Sequence, residues 1–545
     1  MAEENTIARP AGTVAFYTLL SRILGLARDM VVAFSFGAAS HADAFFVAFR
    51  IPNMLRRMVA EGALTAAFLP VYVDSLEKQG PEEGRKVVDI VFTVLTLVLV
   101  VLTLAGVALS PWVIRLFAPG FLGVPGKFEL AVSLNRIVFP YIFFVSLVAL
   151  CMGVLNANGH FSAPAASPIL LNVFMILGAV GFSRWCNPPI YGLAVGVLAG
   201  GLFQFLLQVP ALESKGVRFR PNLSFRHPAV RRIGLLFLPA ALGAAVYQLN
   251  LFVSNVLASF LPEGSISYLW YSSRLLEFPL GVFGMALATA AFPSLSQQSS
   301  RRDASRFFRT FEDALSLITF ATLPAMVGLM VLGRPIVEVL FQRGAFDALT
   351  TRGTADALLY YATGMWPIAA GRILVSAFHS VQDTRTPVKL SLVSFVANVV
   401  LSLLLMGPML HCGLALANSL SAVLNTAMLF VCFRSRMGGW GLGWVRNSGG
   451  RVILASGMMG LALSALKGVL GWEEAYPFAR KCLLLGLWVV AGGGVYIVGC
   501  LVLRVRELDA FMASLRARCR RPNVLPPGGG GATGAGGSDS VRRSS

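Results

Sequence analysis

The sequence predicts an all-α polytopic membrane protein with about fourteen transmembrane helices. They are expected as two parallel six-helix repeats, the N and C lobes, followed by two extra C-terminal helices. Three observations predict this. Of 545 residues, 56% are hydrophobic and only 13% are charged, whereas soluble domains carry about 25% charged residues. Mean hydropathy is +0.72, and the apolar residues fall in blocks of about 20, the length that crosses a bilayer. Finally, several segments recur at one fixed shift along the chain.

The apolar blocks centre near residues 24, 58, 97, 142, 172, 201, 246, 280, 322, 367, 396, 421, 458 and 490. Helices are expected throughout, because lipid offers no partner to open backbone groups. Pro52, Pro140, Pro239, Pro279, Pro324 and Pro367 stand inside these blocks. Transporter helices accept such breaks where neighbours satisfy the freed backbone. The start, "MAEENTIARPAG", lacks a signal-peptide pattern, so the first helix is expected to stay as an anchor. Residues 10–215 are read as the N-terminal six-helix lobe and 230–435 as the C-terminal one. Residues 450–504 hold the two extra helices, and the Gly- and Ser-rich 505–545 reads as a disordered cytoplasmic tail.

Net charge is +19. In a soluble protein such a balance suggests nucleic acid; in a membrane protein, Lys and Arg collect in cytoplasmic loops, and no nucleic-acid partner is expected. Segment 213–232 carries Lys215, Arg218, Arg220, Arg226, Arg231 and Arg232. Segment 298–309 carries Arg301, Arg302, Arg306 and Arg309, and segment 433–451 carries Arg434, Arg436, Arg446 and Arg451. All three follow even-numbered helices. Loops after odd-numbered helices are poorer, with Lys127, Arg184 and the pair Arg343 and Arg352, so both termini are expected in the cytoplasm. The seven cysteines make no CxxC and read as small apolar residues rather than a disulfide frame or metal site.

The repeats are specific. "PWVIRLFAPG" at 111–120 resembles "PIVEVLFQRG" at 335–344, a shift of 224. "FRIPNMLRRMVAEGALTAAFLP" at 49–70 resembles "SRLLEFPLGVFGMALATAAFP" at 273–293, with Arg50 meeting Arg274 at the same shift. Pro164 and Pro387 differ by 223. A duplicated unit of six helices enters the membrane in the same orientation twice, and such transporters place the substrate site between the halves.

Charges inside the apolar blocks then need an account. An arginine at a helix centre costs about 2.5–3.5 kcal/mol on insertion scales and usually faces a bundle interior or wet cavity. The first helix carries Arg22, Arg28 and Asp29; the second Asp43, Arg50, Arg56, Arg57 and Glu61; the eighth Arg274 and Glu277. At about 100° per residue, Asp43, Arg50, Arg57 and Glu61 share one stripe of a straight helix. A bend at Pro52 would void that sum, so spacing does not choose between Arg56 and Arg57. The plain alternative is that these arginines snorkel to headgroups or form struts with the acids. Against it, the charges spread through two helices and recur in the second repeat. The seventh helix has Val246 and Phe252 where the first has Arg22 and Arg28, so the cations belong mainly to the N-terminal half. Such a cavity suits an anion, and arginine's planar fork suits phosphate.

"SRILGLARD" (21–29), "ADAFFVAFRIPNMLRRMVAEGALTAAFLP" (42–70), "YSSRLLEFPLGVFGMALATAAFPSLS" (271–296), "NANGHFSAPAASPILLN" (156–172) and "QDTRTPVKLS" (382–391) carry a family likeness. From about residue 10 to 505 the chain resembles the MurJ (MviN) family of lipid II flippases, in the MOP exporter superfamily. The resemblance implies a two-lobed transporter of the bacterial cytoplasmic (inner) membrane, alternating between inward- and outward-facing states. It would move lipid II, the undecaprenyl-pyrophosphate-linked disaccharide pentapeptide, to the periplasmic leaflet for peptidoglycan biosynthesis. The family's substrate-binding arginines match Arg22, Arg28, Arg56 and Arg274, with Asp43 and Glu61 as acidic partners; Arg50 stands where lysine is usual. Helices thirteen and fourteen would form a groove for the lipid tail. Some members carry a sodium site with carboxylates in the second lobe. Asn398 and Ser402 have none beside them here, and no metal or cofactor is expected. Membrane lipids are expected partners, with the peptidoglycan synthesis machinery as a candidate.

Flipping breaks no bond, so no enzyme is expected. The five histidines are scattered without HExxH, and no Walker A loop appears. Two transporter alternatives stay open: a flippase for another undecaprenyl-pyrophosphate-linked oligosaccharide, and a multidrug exporter of the same superfamily. The second would want an acidic cavity.

Overall fold

Apolar blocks in this chain have one way to satisfy their backbone in lipid, and they take it: the described residues form helices and turns, with no strand among them. The computed structural model describes residues 2–58, 64–301, 303–437 and 448–508. Glu61, Arg302, Arg446 and the tail from residue 509 lie outside the described residues.

In the N-terminal half, α1 (Ala2–Phe36) leads to α2 (Ser40–Arg56), a π-helical turn at Arg57–Met58, and α3 (Thr65–Gln79). Then come α4 (Pro81–Ala108), the short α5 (Ser110–Phe117), α6 (Lys127–Val138), α7 (Tyr141–Ala157), α8 (Ser162–Val180) and α9 (Ile190–Ser214). The C-terminal half repeats the order. It runs through α10 (Pro228–Ala258), α11 (Ser265–Pro279), a π-helical turn at Leu280–Gly284, α12 (Met285–Ser300) and α13 (Ala304–Phe341). It closes with α14 (Ala348–Ala362), α15 (Met365–Ser380) and α16 (Arg385–Met437). The hairpin α17 (Gly450–Leu470) and α18 (Phe478–Val502) follows.

Eight of these segments are long and apolar enough to cross a membrane by length and composition alone. One is the continuous α6–α7 stretch. Another is α16, 53 residues broken at Leu410 (φ 51°), which is long enough to cross twice. The remaining crossings are α1, α10 and the interrupted pairs α2–α3, α11–α12 and α14–α15. Charges in α1 and the breaks in the three pairs keep those from reading as plain spans. The stripe through Asp43, Arg50 and Arg57 holds, because Arg57 keeps helical backbone angles and donates its N–H to Asn53 O; the π turn begins there, and Glu61 lies outside the described residues.

The main apolar core runs through both halves, with Phe45, Phe46, Tyr141, Tyr271, Phe341 and Phe346 buried in it. Lys127, read from sequence as a loop charge, is instead 5% exposed at the start of α6. The helix ends sort into two faces. One carries segments 74–89, 215–232, 380–385 and 434–437, tied by Arg232–Asp74, His227–Glu83 and Arg436–Asp383. The opposite face carries 34–43, 118–127, 258–267 and 341–348.

Candidate functional site

Each site arginine lies on a helix that the apolar pattern places in the membrane, so each needs a partner or water. Arg28 in α1 finds partners within the N-terminal half. Its Nη2 and Nε donate to Asp29 Oδ1 at 2.7 and 3.0 Å, and its Nη1 donates to Asn172 Oδ1 of α8 at 3.0 Å. Asn172 is fixed in turn by donating to Ser21 O at 3.1 Å. This planar set is one that a lysine cannot copy.

Arg22, six residues earlier, reaches across to the C-terminal half and donates to Gly281 O at 3.4 Å. The approach depends on a missing side chain: a Cβ on Gly281 would collide with the Arg22 guanidinium. The π-helical turn at Leu280–Gly284 presents that glycine.

Arg50 and Arg274, paired by the sequence repeat, meet on one ring. The Arg274 guanidinium lies 4.4 Å from the Trp270 ring centre and that of Arg50 lies 5.4 Å from it. Trp270 and Arg274 are i and i+4 on α11, so they share one helix face. Arg50 comes from α2 and also donates to Asn255 Oδ1 of α10 at 3.1 Å. Arg274 pairs with Glu277 at 2.7 Å and stays 26% exposed, against 54% for Glu277. Arg57, Tyr361 and Glu277 lie within electrostatic reach of Arg50. Arg56, the last residue of α2, is half-buried.

Asp43 is drawn elsewhere. It is 1% exposed and accepts from Lys127 Nζ at 2.9 Å, Gly264 N at 2.9 Å, Ser267 N at 3.0 Å and Ser267 Oγ at 2.7 Å. Around it the two halves are stitched together on the face away from the basic loops. Tyr271 donates to Gly37 O at 3.0 Å, Ala345 N to Phe34 O at 2.9 Å, and Gly120 N to Ser259 Oγ at 3.1 Å. Ser40 N also donates to Glu263. Phe46 stacks on Trp270 at 4.8 Å. On the basic face, the ion pairs of the N-terminal half run to the connecting segment and the start of α10.

Sequence reasoning missed Trp270, Asn255 and Asn172, uncharged residues whose roles come from neighbours distant in the chain. It also missed Arg372 of α15, an arginine inside an apolar helix and therefore visible in principle. Arg372 stands beside Gly284, close enough that a Cβ there would touch its guanidinium at 3.5 Å. Asn398, Ser402 and Ser421 satisfy one another: Ser402 Oγ donates to Asn398 Oδ1 at 3.0 Å, and Asn398 Nδ2 to Ser421 Oγ at 3.2 Å. Among the described residues no group of three His, Cys, Asp or Glu is placed to hold a metal.

A family model described as "Lipid II flippase MurJ" matches residues 32–475. A probable lipid II flippase MurJ of Vibrio cholerae is 38% identical, over 92% of this chain and 97% of its own. The lipid II flippase MurJ of Burkholderia cenocepacia is 37% identical, over 83% and 89%. A solved structure of lipid II flippase MurJ in an inward closed conformation superposes with TM-score 0.76 at 27% identity, covering 90% of this chain and 98% of that one. An inward-facing multidrug resistance MATE transporter of the MOP superfamily superposes at 0.66 with 14% identity over 78% and 98%, a likeness of fold alone. The chain belongs to the lipid II flippase MurJ family of membrane transporters.

Proposed function

We propose that this chain moves lipid II from the cytoplasmic to the periplasmic leaflet by alternating access, with the cationic cleft between its halves holding the pyrophosphate. Family membership supports the substrate. The observation that supports the mechanism is the convergence of Arg50 and Arg274, one from each half, on Trp270. Two guanidinium groups facing one space repel each other, and an anion between them turns that repulsion into attraction. A pyrophosphate and a sugar-peptide cannot cross hydrocarbon unaided, whereas a cleft lined by Arg22, Arg28, Arg50, Arg56 and Arg274 shields the headgroup and leaves the tail in the bilayer.

The basic loops support a topology with both termini in the cytoplasm. The face stitched by Asp43 is then periplasmic and shut, and substrate enters from the cytoplasmic side. Breaking the Asp43 set and bending at the π turns of α2–α3 and α11–α12 would open the other side. The released lipid would feed the peptidoglycan synthesis machinery.

A multidrug exporter would bring cationic substrates to these arginines, which the charge disfavours. Vesicles holding the purified chain test both readings. Labelled lipid II is expected to become accessible on the far leaflet, while a cationic amphiphilic dye stays put. Dye movement without lipid II movement would reverse the assignment.

A further inference from the structure

A second cationic site stands away from the cleft, where the α17–α18 hairpin meets the end of α13. Its floor is Glu338 in the last turns of α13, 3% exposed. Trp472 Nε1 donates to Glu338 Oε2 at 2.7 Å. Lys481 Nζ lies 2.6 Å from Glu338 Oε1, close as a charge though not aligned as a hydrogen bond. Lys481 also donates to Glu474 O at 2.7 Å. Glu474 in turn pairs with Arg334 and Arg352. These crossed ion pairs fasten the hairpin to the C-terminal half and shape a recess of about 350 Å³, lined by Glu338, Gln342, Arg343, Tyr476, Phe478 and Lys481.

The walls carry two cations to one anion, and their unused groups are donors. Arg343 lies over Phe478 at 4.2 Å and spends one nitrogen on Val339 O at 2.6 Å. Among the described residues no carboxylate pairs with it. Lys481 spends one of its three N–H groups in a hydrogen bond, on Glu474 O. The Gln342 amide and the Tyr476 hydroxyl make no hydrogen bond among the described residues. A half-open recess rich in spare donors, with net positive charge, is built for an oxyanion. Its level in the membrane indicates where that oxyanion comes from. Trp112, Trp185 and Trp472 ring the same end of the molecule, the first two 66% and 82% exposed. Tryptophans gather at headgroup depth. Phe478 and Val469 beside the recess are also exposed, at 52% and 83%, as lipid-facing side chains would be.

We infer that this recess binds the phosphate of a lipid headgroup on the face opposite the basic loops. Naming that face as the outer leaflet rests on the topology proposed above; binding itself does not. The volume suits a phosphate and its glycerol or first sugar, not a whole disaccharide pentapeptide.

The test titrates fluorescent phosphatidylglycerol into the full-length protein in neutral detergent. Three chains are compared: native, Arg343→Gln, and the double variant Gln342→Ala/Tyr476→Phe, which leaves every ion pair intact. The native chain should bind, and Arg343→Gln should weaken binding about tenfold, the worth of one charge-assisted contact. The double variant should weaken it severalfold, with melting temperature unchanged. Diacylglycerol with the same label should not compete. Unchanged binding in both variants, or equal binding of diacylglycerol, overturns the site. Displacement by millimolar inorganic phosphate as readily as by phospholipid overturns the lipid source. Lipid II movement is followed on the same preparations. A native chain that binds but does not flip would sink the flippase reading and leave the recess standing. A chain that flips with binding indifferent to Arg343 would do the reverse.

Discussion

Asp43 and Ser267 are joined by two hydrogen bonds across the halves, from Ser267 Oγ at 2.7 Å and Ser267 N at 3.0 Å. The same carboxylate holds Lys127, which is equally buried. One acid therefore neutralises a cation from its own half while it caps the first turn of α11 from the other. Opening this face means exposing both charges to water or finding them new partners.

Replacing Asp43 with asparagine should release the clasp. Lys127 would be left buried without its counter-charge, a loss of about 3–5 kcal/mol for a broken buried pair. Spin labels at the facing ends of α2 and α11 are expected to move apart, with a lower melting temperature. Unchanged distances would mean that the other hydrogen bonds and the aromatic packing hold this face without the acid.

Gly120→Ala tests the same closure sterically. A Cβ there would run into the backbone of Ser259 and Phe260, at the end of α10. Backbone cannot swing aside, so the halves must part locally. The same spin-label pair should report opening, at a cost of about 1–3 kcal/mol for overpacking.

Gly281→Ala should behave differently. The atom in the way is the tip of the flexible Arg22 side chain, so stability should fall by less than about 1 kcal/mol. The guanidinium, however, must leave its place against α11–α12. Translocation is expected to drop severalfold with the melting temperature held, and Gly281→Ser should act alike.

Asp383 gives a pH signature on the basic face, in the turn between α15 and α16. Hydrogen bonds from Thr386 Oγ1 (2.7 Å) and Thr386 N (3.0 Å), with Arg436 beside it, hold its carboxyl below the usual range. A depressed value in the folded state adds stability above the ordinary carboxylate pKa of about 4 and loses it as pH falls through the folded value. Asp383→Asn should therefore melt earlier than native at neutral pH, and the gap should close on acidification below about pH 4. A gap constant with pH would remove charge from the explanation.

The helical plan was legible because lipid makes long apolar runs unambiguous, and the repeat pairing Arg50 with Arg274 survives as a shared contact with Trp270. Local spacing serves only as far as the backbone stays α-helical: Asp43, Arg50 and Arg57 keep one phase, and the π turn that begins at Arg57 ends that count. The partners of Asp43 lie 84 and 224 residues away, and nothing near it in sequence announces them. Lys127 looked like a loop charge because a helix start and a loop are alike in composition. Trp270 and Asn172 were silent for another reason: an aromatic or an amide in an apolar helix is ordinary until its neighbours are known.

The most direct measurement of the central claim is translocation of labelled lipid II in vesicles holding the native chain, Arg28→Ala or Arg274→Ala, after equal folding and insertion are verified. The account predicts movement by the native chain and at least a tenfold loss in each variant, since each removes a charge-assisted contact to phosphate. Equal movement by all three would contradict it and leave the arginines as struts of the fold.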